Sequence, residues 1–102
     1  MELKPGSRWK SVVCSTEVVV VRPPGVQVSL ECGGVPMTAH DAPAGPAQPG
    51  APDRMKGSLV GKRYIDSETP IELLCVKTGE GSLSVNERPL AVKDAKRLPS
   101  SD

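Results

Sequence analysis

The sequence has very little from which an aromatic core or an acid–base catalytic centre is built. Among its 102 residues there is no Phe, one Trp, one Tyr and one His, and the apolar fraction is 37%. With so few aromatic residues, the core must come mainly from Val, Leu and Ile. General acid–base catalysis near neutral pH usually needs positioned histidines. We therefore expect a protein that is not an enzyme.

Long hydrophobic runs and blocks of like charge are also missing. No stretch approaches the roughly 20 apolar residues that cross a bilayer, and "MELKPGSRWK" lacks the apolar segment of a secretion signal. Thirteen basic and twelve acidic residues give a net charge of +1. We expect a cytoplasmic protein with no membrane contact. Nucleic-acid binding is disfavoured because it requires a clustered basic surface.

Cysteine is sparse, with three residues in the chain. An odd and low count does not suit the disulfide framework of small secreted domains. Reduced thiols are the expected state.

Short β-like segments make up most of what is present. "EVVVV", "VQVSLEC", "SLVGKRYID", "IELLCVK", "SLSV" and "LAV" are rich in β-branched residues or alternate between apolar and polar. Between them, residues 36–57 carry five prolines, five alanines and three glycines. We predict one all-β domain over residues 1–102, a small β-barrel or sandwich of five to six short antiparallel strands. Residues 36–57 form a flexible Pro/Ala/Gly-rich insertion loop, and residues 93–102 form a polar tail.

Two of the turns carry specific expectations. "RPPGV" predicts a hairpin: if Val20 pairs with Val26, Cys14 meets Cys32 on the buried face, and a register slip of two residues makes the two cysteines diagonal neighbours on that face. "TGEGS" at 78–82 predicts a second hairpin turn, because it lacks the Lys-Ser/Thr and the helix of a phosphate-binding loop. In "IELLCVK", alternation places Cys75 inward with Ile71 and Leu73.

The cysteines admit three interpretations. They pack as small hydrophobic residues, they form a redox pair or cross-strand disulfide, or they bind a metal. In the metal hypothesis, Cys14, Cys32 and Cys75 supply three thiolates for zinc or copper and His40 supplies the fourth ligand, with Met37 as a thioether alternative for copper. The chain has no C-x₂-C pair to support this site. Catalysis by cysteine would need a base such as His40, which lies in the loop.

A small basic and aromatic patch is the candidate binding surface. Lys62, Arg63 and Tyr64 are consecutive, and Trp9 is flanked by Arg8 and Lys10. Such groups bind RNA or an acidic partner, although they also occur as solvated edge-strand residues with one ring in the core. We predict a non-catalytic accessory or interaction module, to which a larger protein subunit binds either on the "GKRY" strand or by ordering the Pro-rich loop. A thiolate-rich zinc or copper protein is the alternative, and weak RNA binding is a third hypothesis.

Overall fold

The fold consists of two antiparallel β-sheets. The computed structural model describes residues 2–43 and 45–93, which contain ten strands, one 3₁₀ turn at Pro52–Arg54 and no α-helix. No helix in these ranges is long and apolar enough to cross a membrane. The strands are β1 (Arg8–Lys10), β2 (Glu17–Arg22), β3 (Leu30–Cys32), β4 (Val35–Pro36), β5 (Thr38–Ala39), β6 (Arg63–Ile65), β7 (Glu72–Lys77), β8 (Leu83–Val85), β9 (Arg88–Pro89) and β10 (Ala91–Val92).

The strand order leaves both sheets open at their edges. The six-stranded sheet has the order β10-β6-β7-β2-β1-β5, and the four-stranded sheet has the order β4-β3-β8-β9. The predicted all-β class is confirmed, and neither sheet closes on itself as a barrel does. The predicted five to six strands are too few, because several strands contain only two residues and leave little periodicity to detect.

Alternating apolar residues from both sheets form the core. Val18 and Val20 of β2 and Leu73 of β7 are buried in the six-stranded sheet, and Leu30 of β3 and Val85 of β8 are buried in the other. Each such side chain contributes about 1.5–3 kcal/mol when it is fully removed from water. The inward faces of β2, β3 and β7 were therefore predicted correctly from their period of two, whereas Val26, predicted to pair with Val20 on the buried face, is 62% exposed.

The predicted hairpin between β2 and the following segment is wrong. β2 pairs with β1 and β7, whereas β3 pairs with β4 and β8 in the other sheet. The favoured two-residue hairpin turns require positive φ at the first or at both central positions, and proline is fixed near −65°. Pro23 and Pro24 therefore cannot close such a turn, and the chain passes from one sheet to the other.

The two tight hairpins lie elsewhere, at positions that meet this requirement. Gly33 and Gly34, with φ of 66° and 82°, join β3 to β4. Asn86 and Glu87, with φ of 49° and 67°, join β8 to β9. Both connections have the two positive φ values of a type I′ turn.

Residues 36–57 were predicted to form one flexible loop, but they contain regular secondary structure. They include part of β4, all of β5 and the 3₁₀ turn, and Met37 is buried in the core. Backbone hydrogen bonds join Gln48 to Val12 and Ala51 to Gly33. Of the predicted tail, Lys93 donates its backbone N–H to Arg63 at 2.7 Å, and positions 94–102 lie outside the described residues.

Two buried carboxylates lie among paired cations. Asp66 accepts hydrogen bonds from Arg88 of β9 at 2.8 and 3.2 Å, which ties the two sheets together. Glu72 of β7 accepts from Arg63 at 3.0 Å and from Lys93 at 3.3 Å. These donors hold the pKa of both carboxyl groups below their ordinary values, with Arg88 the largest cause for Asp66 and Arg63 for Glu72. Glu72 alternates with Ile71 and Leu73 along the chain, but it is not exposed to solvent, because these cations cover it.

We expect the free energy of unfolding to fall as the pH drops below about 4, because a carboxyl group with a lowered folded-state pKa stabilises the fold only while ionised. Asp66→Asn should cost about 1–3 kcal/mol at pH 7 and flatten the dependence at low pH. Urea unfolding at pH 7, 5, 4 and 3 measures this. Asp53→Asn is the control, since the Asp53 side chain is 82% exposed. If the free energy of unfolding depended on pH equally in the two variants, the stabilisation of the fold by ionised Asp66 would be contradicted.

Candidate functional site

The sulfur atoms of Cys14 and Cys32 are neighbours at 3.9 Å. Cys14 lies in the segment that joins β1 to β2, and Cys32 is the last residue of β3. The predicted proximity of the two thiols is therefore confirmed, although the predicted hairpin is not what brings them together. Cys14 is half-buried and Cys32 is fully buried.

Hydrogen-bonding groups surround the Cys14 sulfur. The backbone N–H of Gly81 donates to it at 3.3 Å, and the Thr16 hydroxyl lies 3.2 Å away. The Ser11 hydroxyl lies 3.6 Å away and accepts the Cys14 backbone N–H at 3.1 Å. Hydrogen bonds to the sulfur stabilise the negative charge that it carries as a thiolate.

The two thiols ionise very differently as a result. Burial raises the pKa of Cys14, but hydrogen bonds from Thr16, Gly81 and Ser11 outweigh it and lower that pKa from 9.0 to about 7. Burial raises the pKa of Cys32 to about 11, and the charge of Cys14 adds to this effect. Near neutral pH, Cys14 is therefore the nucleophilic thiol of the pair.

A chain of hydroxyl groups links Cys14 to the opposite loop. Thr16 Oγ1 lies 2.7 Å from Ser58 Oγ, and the Ser58 hydroxyl donates to the Gly81 carbonyl oxygen at 3.0 Å. Since each hydroxyl has one proton and Ser58 donates to Gly81, Thr16 donates to Ser58, and the Cys14 thiol donates to either Ser11 or Thr16.

Two glycines of the 78–82 loop allow its backbone to touch both sulfurs. A Cβ at Gly81 would lie 2.7 Å from the Cys32 sulfur, and a Cβ at Gly79 would lie 2.7 Å from the Cys14 sulfur and overlap Thr16 Oγ1. The sequence prediction of a hairpin turn here is wrong, because β7 and β8 belong to different sheets. The sequence analysis missed the role of these glycines, for which the G-x-G spacing was the only signal.

A cavity of about 390 Å³ opens beside Cys14. Its walls include Lys10, Val12, Thr38 and Pro43 together with Cys14 itself. Small-molecule sites commonly have volumes of roughly 300–1,000 Å³, so the cavity is large enough to bring a small reagent to the Cys14 sulfur.

The other predicted metal ligands do not join this pair. The Cys75 thiol, whose pKa is raised by burial, donates to the Lys77 carbonyl oxygen at 3.1 Å. His40 Nδ1 lies 3.4 Å from the carboxylate of Glu17, and Met37 packs in the core. In the part of the chain that the structure describes, no three or more His, Cys, Asp or Glu side chains are grouped as metal ligands.

The predicted basic and aromatic residues do not form one patch. Tyr64 is buried, and its hydroxyl accepts the Leu59 backbone N–H at 2.9 Å. Trp9 is half-buried on β1, which β7 and β2 separate from β6. Lys62 and Arg63 are exposed. We expected β6 to be an edge strand, but it is not, because β10 pairs with its outer side.

A turn just before β6 exposes two large apolar side chains. Leu59 is 56% exposed and Val60 is 58% exposed. Gly61, with φ of 83°, supplies the left-handed conformation of the turn, and Lys62 N–H donates to the Leu59 carbonyl oxygen at 3.3 Å. The sequence analysis missed this pair because a β-like pattern predicts that one of two adjacent apolar residues is buried.

Comparison with known proteins provides no relative: no protein family, curated protein or solved structure matches the chain.

Gly81→Ala should lower the free energy of unfolding by about 1–3 kcal/mol, because the added methyl group overlaps the Cys32 sulfur and the loop backbone has to move. Urea unfolding at neutral pH under reducing conditions measures the change. The matched control is Gly45→Ala, since nothing lies within 4 Å of a Cβ at that position. The close packing of the loop would be refuted by equal stability of the two variants.

Alkylation of Cys14 by iodoacetamide should follow a titration with a midpoint near pH 7. Thr16→Val removes a hydrogen bond to the thiolate and should move the midpoint up toward the ordinary thiol value of about 8.5. Thr38→Val is the control, because the Thr38 hydroxyl also borders the cavity and has no hydrogen-bond partner among the described residues. Mass spectrometry of the modified fragment gives the rates. Identical midpoints in both variants would show that Thr16 does not lower the pKa.

Proposed function

We propose that the protein is a non-catalytic accessory module that binds a larger protein through the segment Leu59–Arg63. The observation that carries this proposal is the exposure of two adjacent large apolar side chains, Leu59 and Val60, beside two cations, Lys62 and Arg63. Protein interfaces commonly have an apolar centre surrounded by a polar rim. The segment has this composition on a small scale.

Hydrogen bonds on both sides hold the segment in place. Gly61 N–H donates to the Cys75 carbonyl oxygen at 2.8 Å, and Cys75 N–H donates to the Lys62 carbonyl oxygen at 3.0 Å. The buried Tyr64 hydroxyl fixes Leu59 from the core side. Ordering a flexible loop on binding costs free energy, and a segment that is already fixed avoids much of that cost.

The charged side chains near the segment Leu59–Arg63 indicate which kind of partner surface would bind it. Arg63 and Lys93 both pair with one carboxylate, Glu72, which is only 7% exposed, and Lys62 is an exposed cation next to Arg63 in the sequence. The surface presented outward is therefore positive. The complementary partner has an apolar pocket bordered by aspartate or glutamate, and its association rate should fall as salt increases.

Val60→Ser should weaken binding to this partner about tenfold, the effect of losing roughly 1.4 kcal/mol of contact free energy. The protein is used as bait in native lysate, a protein retained in stoichiometric amount is identified and purified, and its Kd is measured by calorimetry at two salt concentrations. Val26→Ser is the matched control, because Val26 is 62% exposed at a distant turn. Lys62→Glu should reduce the salt dependence, whereas Lys4→Glu should not.

If no protein is retained in stoichiometric amount, the proposed role as an interaction module is contradicted. Equal Kd values for the Val60 and Val26 variants would also contradict the proposal, because the bound protein would then use another surface. Thermal unfolding of each variant confirms that the fold is kept.

A further inference from the structure

We propose that Cys14 and Cys32 form a reversible disulfide, with Cys14 as the attacking sulfur and Cys32 as the resolving sulfur. The inference is independent of the proposed partner surface. It rests first on position, since the two sulfurs are 3.9 Å apart and a disulfide bond needs about 2.05 Å. Cys14 belongs to a segment between strands rather than to a strand, so a small movement there closes the gap.

Access to reagents distinguishes the two cysteines. Cys14 borders the cavity of about 390 Å³, whereas Cys32 does not line it and is 0% exposed. A reagent that enters the cavity therefore meets Cys14 first. Gly81 N–H and the Thr16 hydroxyl already lie at hydrogen-bond distance from the Cys14 sulfur, and they stabilise it as a thiolate. Cys75 is excluded as the first target because it is 1% exposed and donates to Lys77.

The oxidant is a small-molecule disulfide, RSSR. The Cys14 thiolate attacks one sulfur of RSSR, which forms a Cys14–S–S–R bond, breaks the S–S bond of RSSR and releases RS⁻. Cys32 then loses its proton to the released RS⁻, which leaves as RSH. The Cys32 thiolate attacks the Cys14 sulfur and expels the second RS⁻, which takes a proton from water. The two protein thiols are oxidised by two electrons, and RSSR is reduced to two thiols.

The product would link the two sheets. Cys14 precedes β2 of the six-stranded sheet and Cys32 ends β3 of the four-stranded sheet, and no strand of one sheet pairs with a strand of the other. A covalent bond at this point restricts the unfolded chain and stabilises the fold. The oxidised form should therefore melt higher than the reduced form by roughly 5 °C or more, and a thiol reductant should reverse the difference.

The experiment treats the full chain with oxidised glutathione at pH 7.4, quenches it with acid and maps fragments by mass spectrometry. Cleavage after Glu17, Glu31 and Glu72 places the three cysteines on separate fragments. We expect a linked pair of fragments that contain Cys14 and Cys32, in wild type and in Cys75→Ser. Cys32→Ser should stop with one glutathione on Cys14, and Cys14→Ser should react at least about 100-fold more slowly at Cys32.

Three results would overturn the proposal. These are a Cys14–glutathione adduct in wild type that never proceeds to the internal disulfide, a link from Cys14 to Cys75 instead, and preferential modification of Cys32 in wild type. The wild-type map decides the question by itself if a serine variant fails to fold. Melting of the oxidised and reduced wild-type chain provides an independent measurement, and identical melting temperatures would show that no bond joins the sheets.

Discussion

The contact between the 78–82 backbone and the sulfur atoms of Cys14 and Cys32 is the constraint on which the rest of the structure depends. This loop carries the chain from β7 in one sheet to β8 in the other, so its position fixes how the sheets face each other. Gly79 and Gly81 make the contact possible because a Cβ at either position would overlap the sulfurs or the Thr16 hydroxyl. A core with no Phe relies on such small, close contacts to reach normal packing density.

The same contact gives the two thiols different chemistry. The loop brings the Gly81 N–H to Cys14, while the hydroxyls of Thr16 and Ser58 extend the hydrogen bonding into the loop. Cys32 lies at the buried end of β3, where desolvation dominates. Sulfur atoms 3.9 Å apart therefore differ in both acidity and access. Packing alone would explain the burial of Cys32, but it does not explain the donors around Cys14.

The surface segment at Leu59–Arg63 depends on the core in a similar way. Tyr64 was expected to contact a partner, but its ring is buried and its hydroxyl holds the backbone of Leu59. Gly61 bonds to β7 next to Cys75. The predicted cations Lys62 and Arg63 remain on the surface, and the apolar pair beside them was not anticipated. The Tyr64 hydroxyl thus positions the exposed turn from the core side.

The sequence by itself determined the all-β class and the inward faces of β2, β3 and β7, because a period of two assigns a face to each side chain before any strand finds its partner. It also indicated that Cys14 and Cys32 are close, although the hairpin used to infer this does not exist. Only the tertiary structure decided which strands pair, since several Val- and Leu-rich strands have equivalent patterns and two prolines exclude the simplest turn. It alone also decided the ionisation of Cys14, because the donor Gly81 lies 67 residues away in the sequence and no local pattern records that contact.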